Sequence, residues 1–392
     1  GNACTRGGGK LTMKLSKNKD EHEAAPVEFS IIDNNNGTYE LKWKSTKAGA
    51  YHVDVLMDGA HVGGSPINLT VRSASPAVEQ MEVRGLGMTK AVAGEKAGLL
   101  LRVADRFGNK FESGSQVFPY KLGLMLSPFG VQGTDKAADK KVKMAEKKPE
   151  GDAKRQKGVV REEEKKQVSL PFEGRMNGSV YEIDYVAQEA GTMDLQIWAT
   201  KLDDVGAEDT REMLPGSPFT VHVSEGNAAA EGSFVGDVEA SKEGGGFVAG
   251  GHVVLRPQIR DQFGNASAAA EGTLSAYHVW NLKPEMVGGE PEEELSAPKA
   301  SKELGKYELV VEPTKAGLHH VHIRLHGQDI SGSPVSFSVT PAGPASSKCK
   351  LNRTQPPEDE PLMEKSPIAI LVTLFDKFGN QLDRGGIRVD AK

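Results

Sequence analysis

Four histidines crowd one stretch of the chain, His319-His320-Val-His322 and His326. In an extended segment alternate side chains share a face, so His320 and His322 could offer two imidazole nitrogens to a metal. A metal set needs a third and fourth donor, and no Cys or carboxylate is spaced to supply them. A solvated strand face is what these residues support. Gly85-Leu-Gly-Met-Thr-Lys90 has the glycines and the lysine of a phosphate-cradling loop. Such a loop sits between a parallel strand and a helix. Here the Gly/Ala-rich stretch from Ala91 to Gly98 leads into the apolar run Leu99–Val103, so a strand-turn motif is expected. No Ser/His/Asp or paired-carboxylate arrangement recurs. No catalytic, cofactor-binding or metal-binding residue is assigned, and the expectation is a protein that is not an enzyme.

The elements that would have to position any chemistry are strands, and they repeat. Tyr307 to Val339 contains an alternating run, a turn at Lys315-Ala-Gly317, a second alternating run, Gly332-Ser-Pro334 and a third. The same order returns at Tyr39 to Val71 and at Tyr181 to Val223. From the tyrosine to the proline is 27 residues in the first and third copies and 37 in the second. A pentad, Asp-x-Phe-Gly-Asn, opens at Asp105, Asp261 and Asp376. Self-similarity of this kind means tandem domains. Within the pentad, Asp and Asn suit turn backbone, Gly takes the unusual dihedral, and the phenylalanine is expected to tuck under the loop.

Aligned copies of the run after Ala-Gly settle which face is buried. One parity holds Tyr51, Val53 and Val55, then Met193, Leu195 and Ile197, then His319, Val321 and Ile323. The other holds His52 and Asp54, Asp194 and Gln196, His320 and His322. A one-residue slip would bury the polar set, so the first parity faces the core.

Composition bounds the rest. The chain has 392 residues, a formal net charge of −6, 45 glycines and 21 prolines, which suits several small domains of short strands and many turns. The mild charge does not point to nucleic acid as a partner. No apolar run reaches the ~20 residues of a membrane span. Cys4 and Cys349 fall in different copies and make no disulfide framework, which favours a reducing compartment. Five sequons, at Asn36, Asn68, Asn177, Asn265 and Asn352, argue the other way. Residues Thr134 to Gln167 carry 12 Lys/Arg, 8 Asp/Glu and no aromatic residue. That composition predicts a mobile insertion and the first site of tryptic cleavage. Four domains are expected: 1–72 (partial), 73–223 with the insertion at 134–167, 224–340, and 341–392 (partial), with short links that bring neighbours into contact. Both ends fall inside repeats, as expected of a piece of a longer protein.

About seven short strands in roughly 100 residues is the pattern of an immunoglobulin-like β-sandwich. The markers resemble the narrower filamin-type repeat: Gly85-Leu-Gly87-Met88; Gly37-Thr-Tyr39, Gly178-Ser-Val-Tyr181 and Gly305-Lys-Tyr307; Gly49-Ala-Tyr51; and Gly64-Ser-Pro66, Gly216-Ser-Pro218 and Gly332-Ser-Pro334. The pentad is also similar to bacterial adhesin-type Ig repeats. The resemblance implies an all-β chain of tandem sandwiches and a structural scaffold that binds proteins. It further implies a cytoplasmic, cytoskeletal setting, actin-associated or axonemal (ciliary). No calponin-homology segment is present, so actin cross-linking is not implied. The alternative is an extracellular adhesion or gamete-surface protein with filamin-like repeats. In such repeats an open sheet edge accepts an added strand from a partner. Here that edge would be Leu274–Trp280, with Ala276, His278 and Trp280 on one parity lining the groove.

Overall fold

The computed structural model describes residues 4–17, 27–114, 116–130, 168–204, 210–240, 246–280, 293–355 and most of 357–388. The insertion at 134–167 lies outside the described residues. The chain divides into two compact units, Gly1–Ser224 and Glu225–Lys392.

In the first unit, the first repeat supplies β1 (Leu11–Lys17), β2 (Val27–Asp33), β3 (Tyr39–Ser45), β4 (Gly49–Met57), β5 (Ala60–His61) and β6 (Ile67–Val71). β4 is the hub of one sheet, flanked by β1, β5 and β6, while β2 and β3 pair as a second. The second repeat supplies β7 (Glu82–Arg84), β8 (Lys90–Val92), β9 (Lys96–Arg102), β10 (Tyr120–Pro128), β11 (Val168–Ser169), β12 (Phe172–Asn177), β13 (Val180–Val186), β14 (Gly191–Lys201), β15 (Glu212–Met213) and β16 (Phe219–Ser224). Its sheets run β12-β13-β9-β7 and β11-β10-β14-β16-β8, with β15 beside β14. All these pairings are antiparallel except β16 with β8. The core between the sheets is Leu99, Leu101, Leu124, Ile183, Tyr185, Leu195, Ile197 and Val221, each 1% exposed or less.

The second unit repeats the plan. β17 (Ala228–Ala240), β18 (Val253–Asp261), β19 (Leu274–Trp280), β20 (Glu293–Leu295), β21 (Lys299–Ala300), β22 (Tyr307–Val311), β23 (Gly317–Leu325), β24 (Gln328–Asp329) and β25 (Val335–Val339) build the third repeat. They form sheets β17-β18-β22-β21 and β20-β19-β23-β24, with β25 on β23. β26 (Lys350–Gln355) and β27 (Ala369–Thr373) pair in the fourth.

Alternation places the faces as the sequence implies: Tyr51, Val53, Val55, Met193, Leu195, Ile197, His319, Val321 and Ile323 are all buried. The Gly-Ser-Pro marker has a bonding role. In each copy the serine hydroxyl accepts an N–H from the strand that precedes it: Val55 to Ser65, Ile197 to Ser217 and Ile323 to Ser333, each at 2.9 Å. Without that acceptor a strand N–H inside the sandwich would be orphaned.

Two expectations need correction. Phe107 does not tuck under its loop; it is 37% exposed with the Arg106 guanidinium 4.6 Å over its ring, and Phe263 is equally exposed. Nor is β19 an open edge. Its outer side pairs with β20, opposing Ala276 to Leu295, Tyr277 to Glu294 and His278 to Glu293. Glu293–Leu295 thus serves as a short covering strand, a common way to blunt an edge.

Candidate interaction site

The register of β19 on β23 decides where the three proposed groove residues point. Ala276 opposes Ile323, His278 opposes Val321 and Trp280 opposes His319. Directly paired residues share a face, and that face of β23 is the core. Ala276 is accordingly unexposed. The parity assigned to a partner groove is the inward one, so Ala276 cannot line a surface. His278 and Trp280 turn instead toward a buried cluster.

That cluster centres on His319. Its Nε2–H donates to the Lys315 carbonyl at 2.8 Å, which leaves Nδ1 to accept from His278 Nε2 at 2.7 Å. The imidazoles lie 9° from parallel, and the Phe337 ring stacks on His319 at 5.6 Å. Trp280 donates its indole N–H to the Ala316 carbonyl at 3.2 Å. Burial pushes both histidine pKa values down; Glu293, 3.8 Å from His278 Nδ1, pulls the other way on His278, and the Lys315 carbonyl does so on His319. His320 and His322, on the opposite face, bond Ser336 and Asp329. Among the described residues no group of three or more His, Cys, Asp or Glu is placed to hold a metal ion. No described helix is long and apolar enough to cross a membrane.

The Gly85-Leu-Gly87 motif is a short 3-10 turn (Leu86–Met88), and the Gly87 carbonyl accepts the buried Tyr185 hydroxyl at 2.6 Å. Burial raises the Tyr185 pKa to about 12, so it remains a donor. The turn is structural.

Each pentad is held by a set of hydrogen bonds to its aspartate. Asp105 Oδ1 accepts the Phe107 and Asn109 N–H groups, and Oδ2 accepts the Ala74 N–H and the Asn109 side-chain amide, all at 2.9 Å. Asp261 and Asp376 repeat this set, with Gly226 and Ala342 in place of Ala74. Burial acts to raise all three carboxyl pKa values, yet these bonds outweigh it and hold them below the usual range.

Free edges are found elsewhere. Among the described residues β12 pairs only with β13, so no described strand lies on its outer side. Beside its start lies a cavity of about 240 Å3 lined by Leu126, Pro128, Leu170, Pro171, Val186 and Met193, together with Gln188 and Glu189. Sequence reasoning passed over this edge because the insertion sits next to it in the chain. The alternation Phe172-Glu-Gly-Arg-Met176 was a weak signal for it.

The Filamin/ABP280 repeat family matches residues 2–68. The Gly-Ser-Pro and tyrosine markers seen in that stretch recur in the rest of the chain. Tripartite motif-containing protein 2 of Homo sapiens is 31% identical over 119 residues, which is 29% of this chain and 16% of that protein, and the Bos taurus protein gives the same figures. The chain thus spans about a sixth of the length of these relatives. Among solved structures, the Lin-41 filamin domain aligns at 18% identity over 29% of this chain and 97% of its own, with a TM-score of 0.22. The Escherichia coli adhesin FdeC aligns at 17% identity over 87% and 88%, with a TM-score of 0.41.

Proposed function

We propose that this filamin-type chain is a non-enzymatic scaffold of four tandem repeats, 1–72, 73–223, 224–340 and 341–392, that binds extended segments of protein partners at sheet edges. The observation that carries the reading is the unpaired side of β12 beside an apolar cavity. An edge offers a ladder of N–H and C=O groups, and a pocket selects a side chain. In the third repeat a partner strand would reach β19 only by displacing the three residues of β20. The relation to filamin repeats supports a cytoskeletal setting, on actin or an axonemal filament.

Proline removes a ladder donor, and neighbouring residues of a strand turn their N–H groups to opposite sides. Of Glu173→Pro and Gly174→Pro, one therefore removes the outward donor and leaves the β13 pairing whole. A Cβ on Gly174 would run into the Tyr181 ring, so Gly174→Pro is made in a Tyr181→Ala background. The variant that loses the outward donor should melt as its own background does and lose the partners that the full chain captures. Undiminished capture by both, in folded protein, would place recognition elsewhere.

A second reading, an extracellular adhesion protein, is favoured by the exposure of Asn36, Asn68, Asn177 and Asn352. Glycan mass at Asn68 or Asn352 in native material would select it, and unmodified asparagine there would select the cytoskeletal reading. Asn265 is held inside its turn by Asp261, so no glycan is expected on it under either reading.

A further inference from the structure

We propose that the asparagine closing the Asp-x-Phe-Gly-Asn loop is a coupling residue that locks one repeat onto the one before it. Asn109 belongs to the second repeat, yet its Nδ2 donates to the Thr46 carbonyl at 2.9 Å, and its Oδ1 accepts the Ala48 N–H at 3.0 Å. Both partners lie in the first repeat, in the loop between β3 and β4. Asn380, of the fourth repeat, makes the same pair of bonds to the third: Nδ2 to the Thr314 carbonyl at 2.8 Å and Oδ1 from the Ala316 N–H at 2.9 Å. The same two bonds thus appear at independent junctions, one in each unit.

The chemistry of the loop makes the clasp directional. A carboxamide has two N–H bonds and one carbonyl. One N–H is spent on the aspartate of its own pentad, Asp105 at 2.9 Å and Asp376 at 2.8 Å, which fixes the amide plane. The other N–H and the carbonyl are left facing the preceding repeat, matched to one C=O and one N–H of its backbone. The aspartate meanwhile accepts an N–H from the link between repeats, Ala74 or Ala342. One loop thus grips the link and the previous repeat together. At the second junction Phe378 adds an apolar seat: Gly250, of the third repeat, has φ +79°, and a Cβ there would stand 2.5 Å from the Phe378 ring. The contacts go to backbone, so the preceding Thr-Lys-Ala loop is read by its shape. Asn109→Asp would set a carboxylate oxygen against both Asp105 and the Thr46 carbonyl, replacing attraction by repulsion.

The test uses the full chain with Cys4 and Cys349 changed to serine and spin labels on Lys44→Cys and Lys121→Cys, both exposed sites. The unsubstituted pair should give a single narrow distance distribution. Asn109→Asp and Asn109→Ala should broaden it while circular dichroism and melting report folded repeats. Ala48→Pro, which deletes the donor from the first repeat and leaves the pentad untouched, should broaden it too. It decides the matter if the Asn109 variants unfold. A distribution as narrow in folded Asn109→Ala and Ala48→Pro as in the parent would overturn the proposal.

Discussion

Tyr51 and His319 stand at the same place in two copies of the repeat and make the same bond. The Tyr51 hydroxyl donates to the Lys47 carbonyl at 2.8 Å, and His319 Nε2 donates to the Lys315 carbonyl at 2.8 Å. The third repeat therefore carries a titratable ring where the first carries a phenol, and the difference has a sign. Unfolded histidines take up protons near pH ~6.5, whereas burial holds His278 and His319 lower in the folded chain. Below that pH the unfolded state binds more protons, so the stability of the third repeat is full above it and falls as the pH drops. Changing His319→Tyr should leave the bond to Lys315 and the packing on Phe337 in place and flatten this dependence. Melting followed at about pH 7.5 and about pH 5.5 brackets the unfolded histidine value; an equal loss in parent and variant would mean that other groups govern it. The pentad aspartates carry the same sign in a more acidic window. Their lowered pKa values keep their contribution intact until the pH falls below the ordinary carboxylate range near ~4.

A glycine in mid-strand marks a close approach, and β10 has one. A Cβ on Gly123 would fall inside the indole of Trp198, which β14 lays across it and which Arg211 covers at 5.1 Å. Gly123→Ala should push the indole off and destabilise the second repeat by about 1–3 kcal/mol, the usual range for overpacking. Denaturant midpoints measure it, and a variant as stable as the parent would show that Trp198 moves freely. Strands such as β4, β14 and β23 were legible in the sequence because half their residues are apolar at period two, and the markers fixed their register. β20 was not: Glu293-Glu-Leu295 has no apolar alternation, and its pairing to β19 is a matter of tertiary proximity. With β20 unseen, the edge was misplaced and the parity of Ala276 misread as outward. The variant Ala276→Glu, natural for a groove, would here bury a charge and unfold the repeat. The exposure of Phe107 and the grip of Asn109 were equally out of reach. The partners of Asn109, Thr46 and Ala48, lie 63 and 61 residues away, which local composition does not encode.

At the scale of the whole chain, stability is a sum of repeat terms and nearest-neighbour terms, and the repeats differ in what they bury. Among the described residues the second has 24 buried apolar side chains in one cluster, the third 15, and the first 3. The physical cause is visible in the strands. β9 and β18 each bring an apolar face between two sheets, and the described strands of the first repeat include no counterpart. In the fourth repeat Leu351, Ile370 and Leu371 are all more than half exposed. Burial of each such side chain is worth roughly 1.5–3 kcal/mol, so the gap between the second and first repeats far exceeds the contribution of the Asn109 clasp. Opening should then be stepwise. Native-state hydrogen exchange should find the slowest amides in β9, β13 and β14, intermediate ones in β18 and β23, and the fastest in β2, β3, β26 and β27. Since the clasp ties the first repeat to the second, Asn109→Ala should speed exchange in β3 and β4 and leave β9 unchanged. Uniform exchange across all the strands would mean that the chain unfolds as one cooperative body, and the additive picture would fail.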